Sequence, residues 1–110
     1  FNEQQQMIID TAREIAAEKI IPARAELDEK NQFPREILED IAKADLFSIF
    51  VPEEYGGLGG GCFEIVLALE QLARGCVGVA TSFAASALGI FPVLFSGSEE
   101  QKQKYLLYAN

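Results

Sequence analysis

With 110 residues, 49% of them hydrophobic, the chain is one domain by size and can bury roughly two-thirds of its unfolded surface. Nine Lys and Arg against seventeen Asp and Glu leave a net charge of −8 with no basic cluster, which excludes a phosphate-backbone footprint and nucleic acid as a partner. Histidine is absent, removing the usual general base near neutral pH and the commonest metal ligand.

In chain order, Asn2 is a good N-cap and Gln5, three residues on, completes a capping box. Ile8, Ala12, Ile15, Lys19 and Ile20 then follow helical spacing. Pro22 is expected to end or kink this helix and to open a short second one over residues 22–29. Pro34 opens the next, with Glu36 in its first turn and Ile37, Leu38, Ile41, Ala42 and Ala44 on its apolar side. A short apolar run, Phe47 to Val51, leads into Pro52-Glu53-Glu54-Tyr55 and a glycine-rich loop, Gly56 to Gly61.

Residues 63–74 return to helix. Ile65, Val66, Leu69, Leu72 and Ala73 are read as one face, Glu70 and Arg74 as an i,i+4 pair, and Gly75 as the stop. An uncharged segment follows from Val77 to Phe95. Ser98 then caps a polar helix, with Glu99 and Glu100 in its first turn and Gln101 closing a second capping box. No strand alternation persists. The expected fold is therefore all-α: an orthogonal or up-and-down bundle of about five to six helices around a central buried helix at 77–95. Because the chain opens on Phe1 and stops at Asn110 in helical sequence, a trimmed piece of something longer is expected.

Each candidate site carries a plainer alternative. Cys62 and Cys76 belong to no metal-type pair and read as buried or half-buried free thiols of a reducing compartment, ahead of a disulfide. The glycine cluster lacks both the Gly-x-Gly-x-x-Gly pattern and the Lys-Ser/Thr of a phosphate loop, so it reads as a tight surface loop needing positive φ. Glu53, Glu54 and Glu64 lie near it, but beside polar neighbours they read as solvated rather than as an acid–base pair. The stretch from Gly75 to Ser98 holds no charge and is long enough to cross a bilayer. Its Thr, Ser, Gly and Pro residues, together with the amphipathic helices before it, favour a fully buried core helix and no stable membrane insertion. On that helix Thr81, Ala84, Ala85 and Leu88 share one face, opposite bulky Phe83, Ile90 and Phe91. Such a face admits a closely packed helix or an apolar ligand; on the residues alone the packed helix is favoured.

Together several segments resemble the acyl-CoA dehydrogenase family. Phe1-Asn2-Glu3-Gln4-Gln5 with Thr11-Ala12-Arg13-Glu14, Ile20-Ile21-Pro22, Phe33-Pro34, Val51-Pro52-Glu53-Glu54-Tyr55-Gly56-Gly57-Leu58-Gly59, Glu70-Gln71-Leu72-Ala73 and Gly97-Ser98-Glu99-Glu100-Gln101 through Leu106 stand in that family's order and spacing. Ser86-Ala87-Leu88-Gly89 departs from the usual Asn or His before Ser-Leu-Gly, and Gly61-Cys62 extends the loop. The resemblance implies that residues 1–110 are the amino-terminal α-domain of a three-domain enzyme. FAD would lie between a middle β-domain and a carboxy-terminal α-domain, where a glutamate removes the acyl α-proton as a hydride passes to flavin N5. No catalytic residue is then expected here. This domain would supply a wall of the acyl-CoA pocket through Thr81, Ala84, Ala85 and Leu88, which turns the reading of that face toward a ligand. The resemblance also implies an electron-transfer flavoprotein as partner, a homo-tetramer or homo-dimer, and a bacterial cytoplasmic or mitochondrial-matrix location. The rival classes are a free-standing helical interaction module and a membrane-anchored protein built around residues 75–98.

Overall fold

The computed structural model describes residues 1–108, with side chains through Leu106. Six α-helices follow one another: α1 (Glu3–Ile15), α2 (Ile21–Lys30), α3 (Arg35–Lys43), α4 (Cys62–Gly75), α5 (Val77–Ser96) and α6 (Glu99–Tyr108). No strand occurs among the described residues, and the all-α bundle is as expected. The helical reading of the last two residues lies outside the described residues.

Both capping boxes form. Asn2 Oδ1 accepts from the Gln5 N–H at 2.8 Å while the Asn2 N–H donates back to Gln5 Oε1 at 3.1 Å. Ser98 and Gln101 exchange the same pair of bonds at 2.9 and 3.2 Å.

Pro22 does not interrupt the run of helical residues. Residues 16–20 make a π-helical turn that joins α1 to α2, so helix runs without a gap from Glu3 to Lys30. The wider turn accommodates a proline that brings no N–H and whose ring would strike the carbonyl four residues back. It also adds one residue to the turn, so Ile20 reaches the core and Lys19 stays exposed.

The core gathers Ile8, Ala12, Ile15 and Ile20 from the first helix, Ile37 and Ile41 from α3, Ile65, Ala68 and Leu72 from α4, and Val79, Phe83 and Ala87 from α5. α4 crosses closest to the π turn. A Cβ on Gly75 would stand 2.6 Å from Ile20 Cγ2, so this glycine is the contact point of two helices. Arg24 reaches across to donate to the Gly75 carbonyl at 3.1 Å, placing a cation at the negative end of α4.

Three local expectations are corrected. Val66 is exposed while Leu67, Ala68 and Gln71 are buried, because α4 packs on both α1 and α5 and so buries a broader, rotated face. Ala42 is exposed on α3. Glu70 and Arg74 form no ion pair among the described residues, whereas Glu26 and Lys30 do at 2.7 Å.

The larger correction concerns the helix at 77–95. It lies centrally, between α4 and α6, but it is not fully buried. Val79, Ala80, Phe83, Ala87 and Ile90 face the core; Val77, Leu88 and Phe95 are exposed by 69%, 75% and 75%. The molecule measures only 19 Å along its shortest axis, about two helix diameters. In two layers each helix keeps an outer side, and among the described residues nothing covers that of α5.

Candidate functional site

α5 begins after a single extended residue, Cys76, that turns the chain sharply out of α4. Its orientation is set from beneath by Phe83, which is wholly buried against Phe47 and Phe50 with ring centroids 5.1 and 5.9 Å away. Phe83 and Ile90 thus take the inward side, as their bulk suggests.

Thr81, Ala85 and Leu88 lie together on the outward side, with Ala84 half-buried at its edge. The four proposed residues do share a face, and among the described residues no helix packs against it. Gly89 borders the same face, and a Cβ there would meet nothing within 4 Å. Val77, Pro92 and Phe95 extend the face in both directions. Sequence reasoning passed over these three, although Val77 and Phe95 continue the spacing of Thr81 and Leu88 by one turn and two turns.

Chemically the face is neutral and apolar. Its one hydroxyl is used internally: Thr81 Oγ1 donates to the Val77 carbonyl at 2.8 Å. At its flank Ser82 Oγ donates to Gly78 at 3.0 Å. A surface of methyl groups with its hydroxyls satisfied offers dispersion and desolvation to a hydrocarbon and no strong hydrogen bond.

The glycine loop is no ligand cradle. Its amides are spent within the chain: Leu58 N–H on Ser48 at 2.8 Å, Gly59 N–H on Val51 at 2.9 Å and Gly60 N–H on Ile49 at 2.7 Å. The loop therefore folds back on the 3-10 turn at Leu46–Phe50. Gly57 permits the closest approach, since a Cβ there would fall 1.9 Å from the Val51 carbonyl oxygen, and Gly56 turns at φ 87°. These spent amides, with no basic cluster nearby, do not fit the pyrophosphate of a dinucleotide cofactor.

Of the carboxylates near the loop, Glu64 has structural partners. Glu64 accepts from the Gly61 N–H at 2.9 Å and from Gln5 Nε2 at 3.3 Å. The backbone N–H of Gly61 chiefly holds the Glu64 carboxyl below the ordinary glutamate value. Glu53 and Glu54 are exposed. Tyr55 is buried and donates its hydroxyl to Glu99 at 2.8 Å, tying the loop to the first turn of α6; that hydrogen bond pushes the phenol up to about 12. Cys62 is exposed rather than buried, because it starts α4 on the outer side, and Cys76 is half-buried; both are free thiols. No group of His, Cys, Asp or Glu could hold a metal among the described residues.

Residues 2–108 match the profile of the acyl-CoA dehydrogenase N-terminal domain. Over 106 residues the chain is 38% identical to a probable mitochondrial medium-chain specific acyl-CoA dehydrogenase of Caenorhabditis briggsae, covering 96% of this chain and 26% of that protein. It is 36% identical to a cyclohex-1-ene-1-carbonyl-CoA dehydrogenase of Geobacter metallireducens, covering 96% and 28%. The fold superposes on butyryl-CoA dehydrogenase from Megasphaera elsdenii with a TM-score of 0.88 and 28% identity, over 99% of this chain and 30% of that one. The chain spans about a quarter of the length of the curated relatives it matches.

Proposed function

Because the chain belongs to the acyl-CoA dehydrogenase family, as its amino-terminal helical domain, we propose that it forms one wall of the pocket in which a longer, flavin-dependent enzyme holds the acyl chain of an acyl-CoA thioester. The observation that carries this reading is the outer face of α5. It is uncharged, built on Thr81, Ala84, Ala85 and Leu88, and open to whatever lies beyond the chain. A packed helix would account equally for small residues there, but the described residues supply none.

In this reading the domain contributes binding rather than chemistry. Flavin, when bound elsewhere in the longer protein, accepts the reducing equivalents. The residues of this chain hold the hydrocarbon away from water and set its reach, which is where binding energy remote from the reacting carbons is converted into rate and specificity. A base, an oxyanion donor set and the flavin site are then supplied by a middle β-domain and a carboxy-terminal α-domain. Electron-transfer flavoprotein as acceptor, assembly as a homo-dimer or homo-tetramer, and a bacterial cytoplasmic or mitochondrial-matrix location belong to the same proposal.

The test is an anaerobic titration of the longer gene product with a panel of acyl-CoA thioesters. An oxidised-flavin spectrum that bleaches with a thioester is the expected result. A colourless product that ends near residue 110 would overturn it and leave a helical binding module.

A further inference from the structure

α5 poses a problem of rotation. From Gly75 to Ser98 the sequence holds no charge. Its Thr81 and Ser82 hydroxyls bond to carbonyls of the same helix, so charge does not decide which side turns inward and polarity does so only weakly. Yet α5 presents one face to the core and a distinct one outward, with Ala87 only 4% exposed and the adjacent Leu88 75% exposed.

Ring contacts at Phe83 supply a clamp. Phe47 and Phe50 stand three residues apart on the 3-10 turn, where side chains at i and i+3 eclipse. Their rings meet edge to face at 6.4 Å and 81°, and both contact Phe83, at 5.1 and 5.9 Å. The turn that carries them is braced from behind by the amides of Leu58 and Gly60. Phe83 is therefore held by two rings on a rigid base, and aromatic pairs of this kind prefer particular mutual orientations. The outward side carries apolar bulk of its own in Leu88 and Phe95, so bulk alone leaves the rotation open and the ring contacts at Phe83 settle it.

We infer that Phe47 is a positioning residue: it fixes the rotation of α5 and so selects which residues of that helix meet the acyl group. The second half rests on the functional reading above; the first does not. Phe47 is half-buried at the rim, so replacing it loosens the clamp without emptying the core as a change at Phe83 would.

The rotation is read directly on the chain itself by thiol labelling. In a Cys62→Ser, Cys76→Ala background, Leu88→Cys is expected to react with a maleimide at least about tenfold faster than Ala87→Cys, since thiol chemistry requires access. Phe47→Leu should shrink that ratio several-fold, and Phe47→Tyr, which keeps the ring, should restore it. Ile8→Val, a core change on α1, should lower the melting temperature and leave the ratio alone. A ratio that Phe47→Leu changes no more than Ile8→Val does would overturn the inference.

In the longer enzyme, Phe47→Leu should flatten the acyl chain-length profile through KM, with kcat on the preferred thioester little changed. A loosened rotation with an unaltered profile would sink the substrate half. If the wild-type flavin bleaches with no thioester, the functional reading fails, and the labelling ratio still decides the role of Phe47.

Discussion

At the scale of single residues, Tyr55 and Ala84 carry separable consequences. The hydrogen bond to Glu99 stabilises the protonated phenol, so the folded chain holds that proton more tightly than the unfolded chain does. A raised value means that the contribution to stability is complete below the ordinary 10.0 and is lost as pH climbs from there through about 12. In an alkaline titration followed by tyrosinate absorbance, one of the three tyrosines should ionise late. Tyr55→Phe should remove that late phase; a late phase that survives belongs to another tyrosine. Ala84 was marked by its place on a small-residue helical face and by the family resemblance, and the structure leaves it half-buried at the edge of the open face. Ala84→Leu should shorten the accepted acyl chain, lowering kcat/KM for the longest good thioester by about tenfold, as a few methylenes' worth of lost pocket does. An unchanged chain-length profile would remove Ala84 from the pocket.

Individual elements were legible where local chemistry dominates. Asn2 with Gln5 and Ser98 with Gln101 could be read as caps because a cap is satisfied within four residues of chain. Ser98→Ala should therefore cost about 1 kcal/mol, seen as a lower denaturation midpoint with unchanged slope. The π turn at 16–20 was not legible. Pro22 announces a disturbance, but whether the helix ends or widens depends on the core position offered to Ile20. The glycine loop was read correctly as a turn, while its partner, the 3-10 segment it braces, was seen only as an apolar run. Gly57→Ala would drive a Cβ into the Val51 carbonyl and should destabilise far more than the same change at Gly89, where space is open. Comparable melting temperatures for the two variants would contradict the observed loop packing.

For the whole molecule, thinness is decisive. Two layers of helix leave α5 with an apolar outer face carrying exposed Leu88 and Phe95. α5 also has the length and hydropathy to cross a membrane. The distinction is experimental: as a pocket wall, this face should make the 110-residue chain associate with itself as concentration rises. Replacing Leu88 and Phe95 together by Asn should reduce that association in sedimentation without loss of helix. Partition of the wild-type chain into lipid vesicles, with helix protected from exchange, would favour the membrane-anchored alternative instead.

Much of the protein's character was set within the chain's own order: all-α class, the helix starts, the loop, and the family that the motifs resemble. These rest on hydrogen-bonding and steric rules that act over a few residues, and the resemblance rests on the order of such segments. What tertiary structure alone decided is which sides face inward. Of the stripe that held both Lys19 and Ile20 only Ile20 is buried at that end, Val66 gave way to Leu67, and α5 proved buried on one side only. On a helix without charge no charged face marks the outside, so the choice fell to a contact between Phe83 and rings more than thirty residues earlier in the chain. That long-range choice is also what leaves Thr81, Ala85 and Leu88 facing outward, with Ala84 at their edge.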